Sequence, residues 1–142
     1  MITQPATEEI RTLFEQYEKY VAELNFSAIA KLYDKYIVLA GPTGTFFRRN
    51  NFVTRYLFAA SMKSFYRKAK ATSKLISLEE SPVSTEFSMV KVHWGSTFAK
   101  TGDRVIEYDG SYLVQKSPEL KIILFIAHED ENVTLQKLGI IT

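Results

Sequence analysis

Two segments decide the fold: Thr85–Ala99, reading TEFSMVKVHWGSTFA, and Arg104–Lys116, reading RVIEYDGSYLVQK. Both alternate with the period of a strand. In the first, Val90, Val92, Trp94 and Phe98 point one way, and Met89, Lys91, His93 and Thr97 point the other. The break between the segments, Thr101-Gly102-Asp103, is short enough for a hairpin. If Thr101-Gly102 is a two-residue turn, Lys100 faces Asp103, Ser96 faces Glu107, Trp94 faces Asp109 and Val90 faces Leu113. Cross-strand neighbours share a face, so Glu107 and Asp109 are expected beside Trp94. A bulge at Gly102 or a kink at Gly110 would shift this register by one and exchange the residues.

Two further strands are read at Ser73–Glu80 and Lys121–Glu129, with Ser81-Pro82 and Ser117-Pro118-Glu119 as breaks. Short breaks imply an antiparallel meander. Upstream the period is helical. Pro5 is expected in the first turn of a helix capped by Thr7, with Ile10, Leu13, Phe14, Tyr17, Val21 and Leu24 on one face. Phe26–Leu32 reads as a short second helix, and Tyr36–Ala40 and Thr45–Arg48 as strands around the turn Gly41-Pro-Thr-Gly44. Asn50 or Asn51 should cap a long helix running to about Lys70, with Phe52, Tyr56, Ala59, Met62, Phe65 and Tyr66 as apolar positions. A last helical turn is expected at Asn132–Leu138. Helices segregated from an antiparallel sheet define a single α+β domain over 1–142.

Composition narrows the classes. The chain has 142 residues, 46% of them hydrophobic, with 10 Phe, 8 Tyr and 1 Trp, so it must supply a core, a ring-lined pocket or a buried interface. With no Cys, disulfides, thiolate catalysis and Cys-ligated metals are excluded. No apolar run approaches the roughly 18 residues of a membrane span, so no membrane partner is expected. The first residues lack the basic start and apolar stretch of a signal peptide, which makes the cytoplasm the expected location. Residues 35–78 carry nine basic side chains and no acid. Basic residues among Phe and Tyr resemble a nucleic-acid footprint, but no module signature accompanies them and the net charge is only +2. A small anion near Arg48 and Arg49 is the better expectation.

The order of elements and several strings resemble the nuclear transport factor 2-like superfamily, in its SnoaL-like bacterial branch. The strings are Phe26-Ser-Ala-Ile-Ala-Lys-Leu-Tyr33-Asp34, Ile37-Val-Leu-Ala-Gly41, Tyr112-Leu-Val-Gln, and Pro118-Glu-Leu-Lys-Ile122. Members often have Trp at the position of Leu120. The resemblance implies a cystatin-like roll, in which a curved antiparallel sheet wraps around N-terminal helices to form a cone-shaped pocket. It also implies frequent dimerisation through the outer sheet face. Some members are isomerases, cyclases, dehydratases or hydrolases that use pocket Asp, His or Tyr, and others only bind ligands or assemble subunits.

On that expectation the Trp94 face lines the cavity, closed by the first and third helices with Tyr17 and Tyr56 as contributors. Trp94, Tyr17 and Tyr56 are then the ligand-binding candidates. Glu107 and Asp109 are the catalytic candidates, because a carboxylate against apolar rings has its pKa raised toward general acid–base use. The competing reading leaves them in solvent or paired with Arg104 or Lys91. The opposite face, with Met89, His93, Ile106, Tyr108 and Tyr112, is expected to form a homodimer. His93 and His128 lack metal-ligand spacing, and no metal or cofactor is expected. The expected function is binding of a small, apolar, oxygenated molecule, with cofactor-free isomerase, cyclase or hydrolase chemistry as its enzymatic form. The alternative is a non-catalytic association domain.

Overall fold

The computed structural model describes residues 4–129 together with 135, 136 and 139. The elements run β1 (Gln4–Pro5), α1 (Glu8–Ala22), α2 (Phe26–Lys31), β2 (Tyr36–Gly41), β3 (Gly44–Arg49), α3 (Phe52–Ala69), β4 (Thr72–Pro82), β5 (Phe87–Thr97), β6 (Ile106–Gln115) and β7 (Lys121–Ala127). One sheet contains all of these strands in the order β1-β4-β5-β6-β7-β2-β3. The meander β4 to β7 is antiparallel, as the short breaks require. The expected turn at Asn132–Leu138 falls largely outside the described residues.

Pro5 departs from the expected layout, and two further contacts go beyond what local patterns give. Pro5 does not start α1: it lies in β1 opposite Glu79, and the helix begins at Glu8 after Thr7. The hairpin β2–β3 does not stand apart. β2 joins the meander by a parallel pairing of Leu39 with Phe125 and Ala40 with Ile126, a long-range contact that no local pattern encodes. Asn51 caps α3, its side chain accepting from the Thr54 N–H at 2.9 Å, while Asn50 does something else. Its Nδ2 donates to the carbonyls of Ala30 (2.9 Å), Tyr33 (3.2 Å) and Asp34 (2.9 Å), which fastens the end of α2 to the start of α3.

The core lies between α1, α2 and the concave sheet face. Ile10, Leu13, Phe14 and Val21 of α1 pack with Leu78, Val90, Val92 and Val114 of the sheet. The helix spacing in α1 therefore reads correctly: the stripe faces the sheet and Glu15 and Glu23 stay in water.

One buried charge ties the layers together. Glu80 is fully buried, and its Oε1 accepts from the Thr7 N–H (2.9 Å) and the Thr7 hydroxyl (3.0 Å). Its Oε2 accepts from the Ser88 hydroxyl at 2.6 Å and pairs with Lys116 Nζ at 2.5 Å. One carboxylate thus joins the start of α1, strands β4 and β5, and the end of β6. Burial alone would raise its pKa, but the bonds from Lys116, Ser88 and Thr7 outweigh burial and hold it at about 2, against an ordinary 4.5. The depressed pKa means stability that is present above the unfolded value and is lost as pH falls from about 4.5 toward about 2. Glu80→Gln should cost about 3 kcal/mol in urea unfolding at pH 7, from the shift and from an orphaned Lys116. The difference from the wild type should shrink as pH falls through that window. A gap of unchanged size at pH 7 and pH 3 would contradict this role.

Candidate functional site

The site depends on how β5 pairs with β6. Trp94 lies opposite Tyr108, Val90 opposite Tyr112, Ser96 opposite Ile106 and His93 opposite Asp109. This is one residue from the register expected of a two-residue turn. The connection is longer: β5 ends at Thr97, a 3-10 turn covers Ala99–Thr101, and Gly102 has φ +59°. The Thr101 hydroxyl donates to the Phe98 carbonyl and accepts from the Phe98 N–H, both at 3.1 Å, closing the loop on itself.

The shift exchanges the faces of β6. Tyr108 and Tyr112 join Trp94 on the concave side, so they do not belong to the outer face on which the sequence reading put them. Ile106 moves with them, paired with the buried Ser96. Glu107 and Asp109 move to the outer side with His93. There His93 Nδ1 is 2.7 Å from Asp109 Oδ1, and Nε2 is 2.8 Å from Glu107 Oε1. The bonds to Asp109 and then Glu107 raise the His93 pKa, which favours the cationic ring between the two carboxylates. This cluster is half open to water, with the Glu107 side chain 57% exposed. It is separated from the cone by the sheet, so neither carboxylate stands beside Trp94.

The concave side holds a cavity of about 210 Å³. Its walls come from α1 and α2 (Tyr17, Val21, Phe26, Ile29), from α3 (Phe58, Met62, Tyr66) and from the sheet (Leu39, Ser73, Trp94, Tyr108, Tyr112, Phe125), with Tyr33 after α2. The expected contributors Trp94 and Tyr17 lie in this wall, their rings 5.6 Å apart. Tyr56 does not. It is 65% exposed, because α3 turns the spacing Phe58, Met62, Tyr66 inward and leaves 52 and 56 on the far side. The residues that sequence reasoning missed are Ser73, Tyr108 and Tyr112.

A string of hydroxyls crosses one wall. Tyr66 Oη lies 2.9 Å from Ser73 Oγ, Ser73 Oγ is 2.8 Å from Ser96 Oγ, and Ser96 Oγ is 3.1 Å from Tyr108 Oη. On the same sheet face, the Trp94 indole N–H donates to Tyr112 Oη at 3.3 Å. Burial first, then the nearby Tyr17, raises the pKa values of Tyr33 and Tyr112 well above the usual phenol range. These phenols stay neutral and act as hydrogen-bond donors and acceptors, not as bases. Among the described residues no Asp, Glu, His, Lys or Arg lines the cavity. Gly110 matters to the shape, since a Cβ there would stand 2.4 Å from Phe125 Cε2. Only glycine lets that ring lie across β6 and close the cavity against Tyr112, whose centroid is 4.9 Å away.

No family model matches the chain, and no curated protein matches it in sequence. Solved structures do match. The chain is similar to an NTF-2 like protein of unknown function from Shewanella oneidensis MR-1, at 17% identity and TM-score 0.64 over 86% of this chain and 98% of the other. It is similar to an NTF2-like protein with a cystatin-like fold from Novosphingobium aromaticivorans, at 14% identity and TM-score 0.65 over 92% and 86%. It is also similar to the beta subunit of the benzoate 1,2-dioxygenase from Burkholderia mallei, at 11% identity and TM-score 0.63 over 92% and 94%. The chain therefore has the nuclear transport factor 2-like, cystatin-like α+β fold. Among the described residues no helix is long and apolar enough to cross a membrane.

Proposed function

We propose that this protein binds a small, neutral, largely aromatic molecule in the cone and holds its oxygen on the hydroxyl string. The observation that carries this reading is an aromatic cavity whose polar groups, among the described residues, are all neutral, with hydroxyls converging on one wall. A volume of about 210 Å³ is below the roughly 300 Å³ at which drug-sized sites begin, which suits a ligand of one or two rings. The strings that resemble the SnoaL-like branch accord with such a ligand-binding role in the cytoplasm. Catalysis by Glu107 or Asp109 finds no support in their position, since a ligand in the cone cannot reach them through the sheet. The tyrosines can polarise a carbonyl, but a neutral phenol with a raised pKa is a poor proton acceptor. Binding is thus favoured over acid–base turnover.

A second reading, association, rests on the outer sheet face. Met89, Leu113, Leu124 and Ile126 are half-buried there with no covering element among the described residues. We infer that a second copy covers this face. Residues Tyr108, Tyr112 and Ile106 have no part in it, given their concave position.

Two measurements check these readings. Calorimetry should find that 2-naphthol binds and that 2-naphthoate binds at least about tenfold more weakly, because a carboxylate in the cone meets no cation. Ser73→Ala should weaken naphthol by roughly 0.5–1.5 kcal/mol, the worth of one hydrogen bond. Tighter binding of the naphthoate, or no binding of either, would overturn the cavity reading. For the second reading, sedimentation should show a dimer that Leu113→Glu splits, and a wild-type monomer at high micromolar concentration would contradict it.

A further inference from the structure

The exposed apolar surface of this protein is concentrated. Among the described residues, seven of the ten large hydrophobic side chains that stand exposed fall on the β2–β3 hairpin and the first turns of α3, between residues 36 and 57. On the first two turns of α3, Phe52 is 76% exposed, Val53 62%, Tyr56 65% and Leu57 60%. Their spacing puts them on one side of the helix, and the other side sends Phe58, Met62 and Tyr66 into the cone. Immediately before α3, edge strand β3 carries Phe46 on one face and Phe47 on the other, exposed along with every other residue of the strand.

Neither β3 nor α3 carries an acid, although Glu129 lines the groove beside β3 with Arg48, and Asp34 lines the cleft with Arg55. Arg48 and Arg49 end β3 and Arg55 lies on α3, within a stretch of nine basic residues and no acid. Arg48 stacks over the Phe46 ring at 4.9 Å, and Arg55 donates to the Asn50 carbonyl at 3.1 Å. None of the three arginines pairs with a carboxylate among the described residues.

We propose that the β3–α3 surface docks this protein onto an anionic lipid bilayer. Phe52, Val53, Tyr56 and Leu57 enter the boundary between headgroups and acyl chains, and the arginines meet lipid phosphates. The chemistry selects this occupant. A second copy packed on the same patch about a two-fold axis would set α3, which carries Arg55 and no acid, against itself with like charges facing. A nucleic acid would use the arginines and could stack on the aromatic rings, but it would leave Val53 and Leu57 in water, since bases stack on π faces. A bilayer surface satisfies the aliphatic, aromatic and cationic groups together. This mode needs no spanning segment, so it departs from the expectation drawn from the lack of a long apolar run.

The test is cosedimentation of the full chain with vesicles. One preparation is phosphatidylcholine alone and the other a phosphatidylcholine–phosphatidylglycerol mixture. The wild type should pellet with the mixture and not with the neutral lipid, and added salt should release it. The double variant Phe52→Ser/Leu57→Ser should lower the partition coefficient at least about tenfold, since two exposed apolar anchors are removed. Arg48→Gln/Arg49→Gln should lower it by about the same factor. Both variants change exposed residues outside the cone, so naphthol binding should persist in them and report an intact fold. Absence of pelleting with the anionic vesicles would overturn the proposal. So would variants that pellet as the wild type does, or a Phe52→Ser/Leu57→Ser protein whose only change is loss of self-association without lipid.

Discussion

The pairing of Trp94 with Tyr108, and of His93 with Asp109, is the constraint on which the arrangement of this protein depends. In a strand each residue belongs to one face, and a register set at one rung sets every rung. The loop from Phe98 to Val105 sets it here, with its 3-10 turn and Thr101 hydroxyl bonds. Tyr108 and Tyr112 are thereby committed to the helices, and Glu107 and Asp109 to the outside. The cone is aromatic and neutral for this reason, and the charged cluster around His93 lies on the far side of the sheet.

The separation of charge has a physical logic. The concave face must be dry to hold α1, and a carboxylate there without partners would cost several kcal/mol. Among the described residues the one fully buried carboxylate, Glu80, is surrounded by four hydrogen-bonding contacts, one of them to Lys116. It anchors α1 against the sheet and stays ionised. Among the described residues the cavity wall keeps no acid or base, and burial suppresses the ionisation of Tyr33 and Tyr112. Recognition in the cone then comes from ring packing and hydroxyl bonds.

Much of the fold was legible in the sequence because its signals are local. The α1 stripe, the alternation of β5 and the short breaks each act over a few residues, and they specify the α+β class and the meander. The site was less legible because it depends on one count across a loop. A two-residue turn at Thr101-Gly102 puts Asp109 beside Trp94, whereas the eight residues from Phe98 to Val105 put Tyr108 there. A usable signal was present: Tyr108, Tyr112 and Val114 form the most apolar side of β6, and matching it to Val90, Val92 and Trp94 gives the observed register. Tyr56 was misplaced for a related reason. Apolar residues occur all around α3, so spacing alone could not distinguish the side facing the cone from the exposed side. The parallel contact of β2 with β7 joins segments far apart in the chain and has no local signature.

The neutral aromatic cone is open to a decisive check, a crystal structure of the protein soaked with 2-naphthol. Ring density is expected between Trp94, Tyr112 and Tyr66, with the naphthol oxygen within hydrogen-bond distance of the hydroxyl string at Ser73. Glu107 and Asp109 are expected on either side of His93 on the opposite face. Naphthol bound against Glu107 or Asp109, or Trp94 found opposite Asp109, would contradict the register and with it the neutral cone.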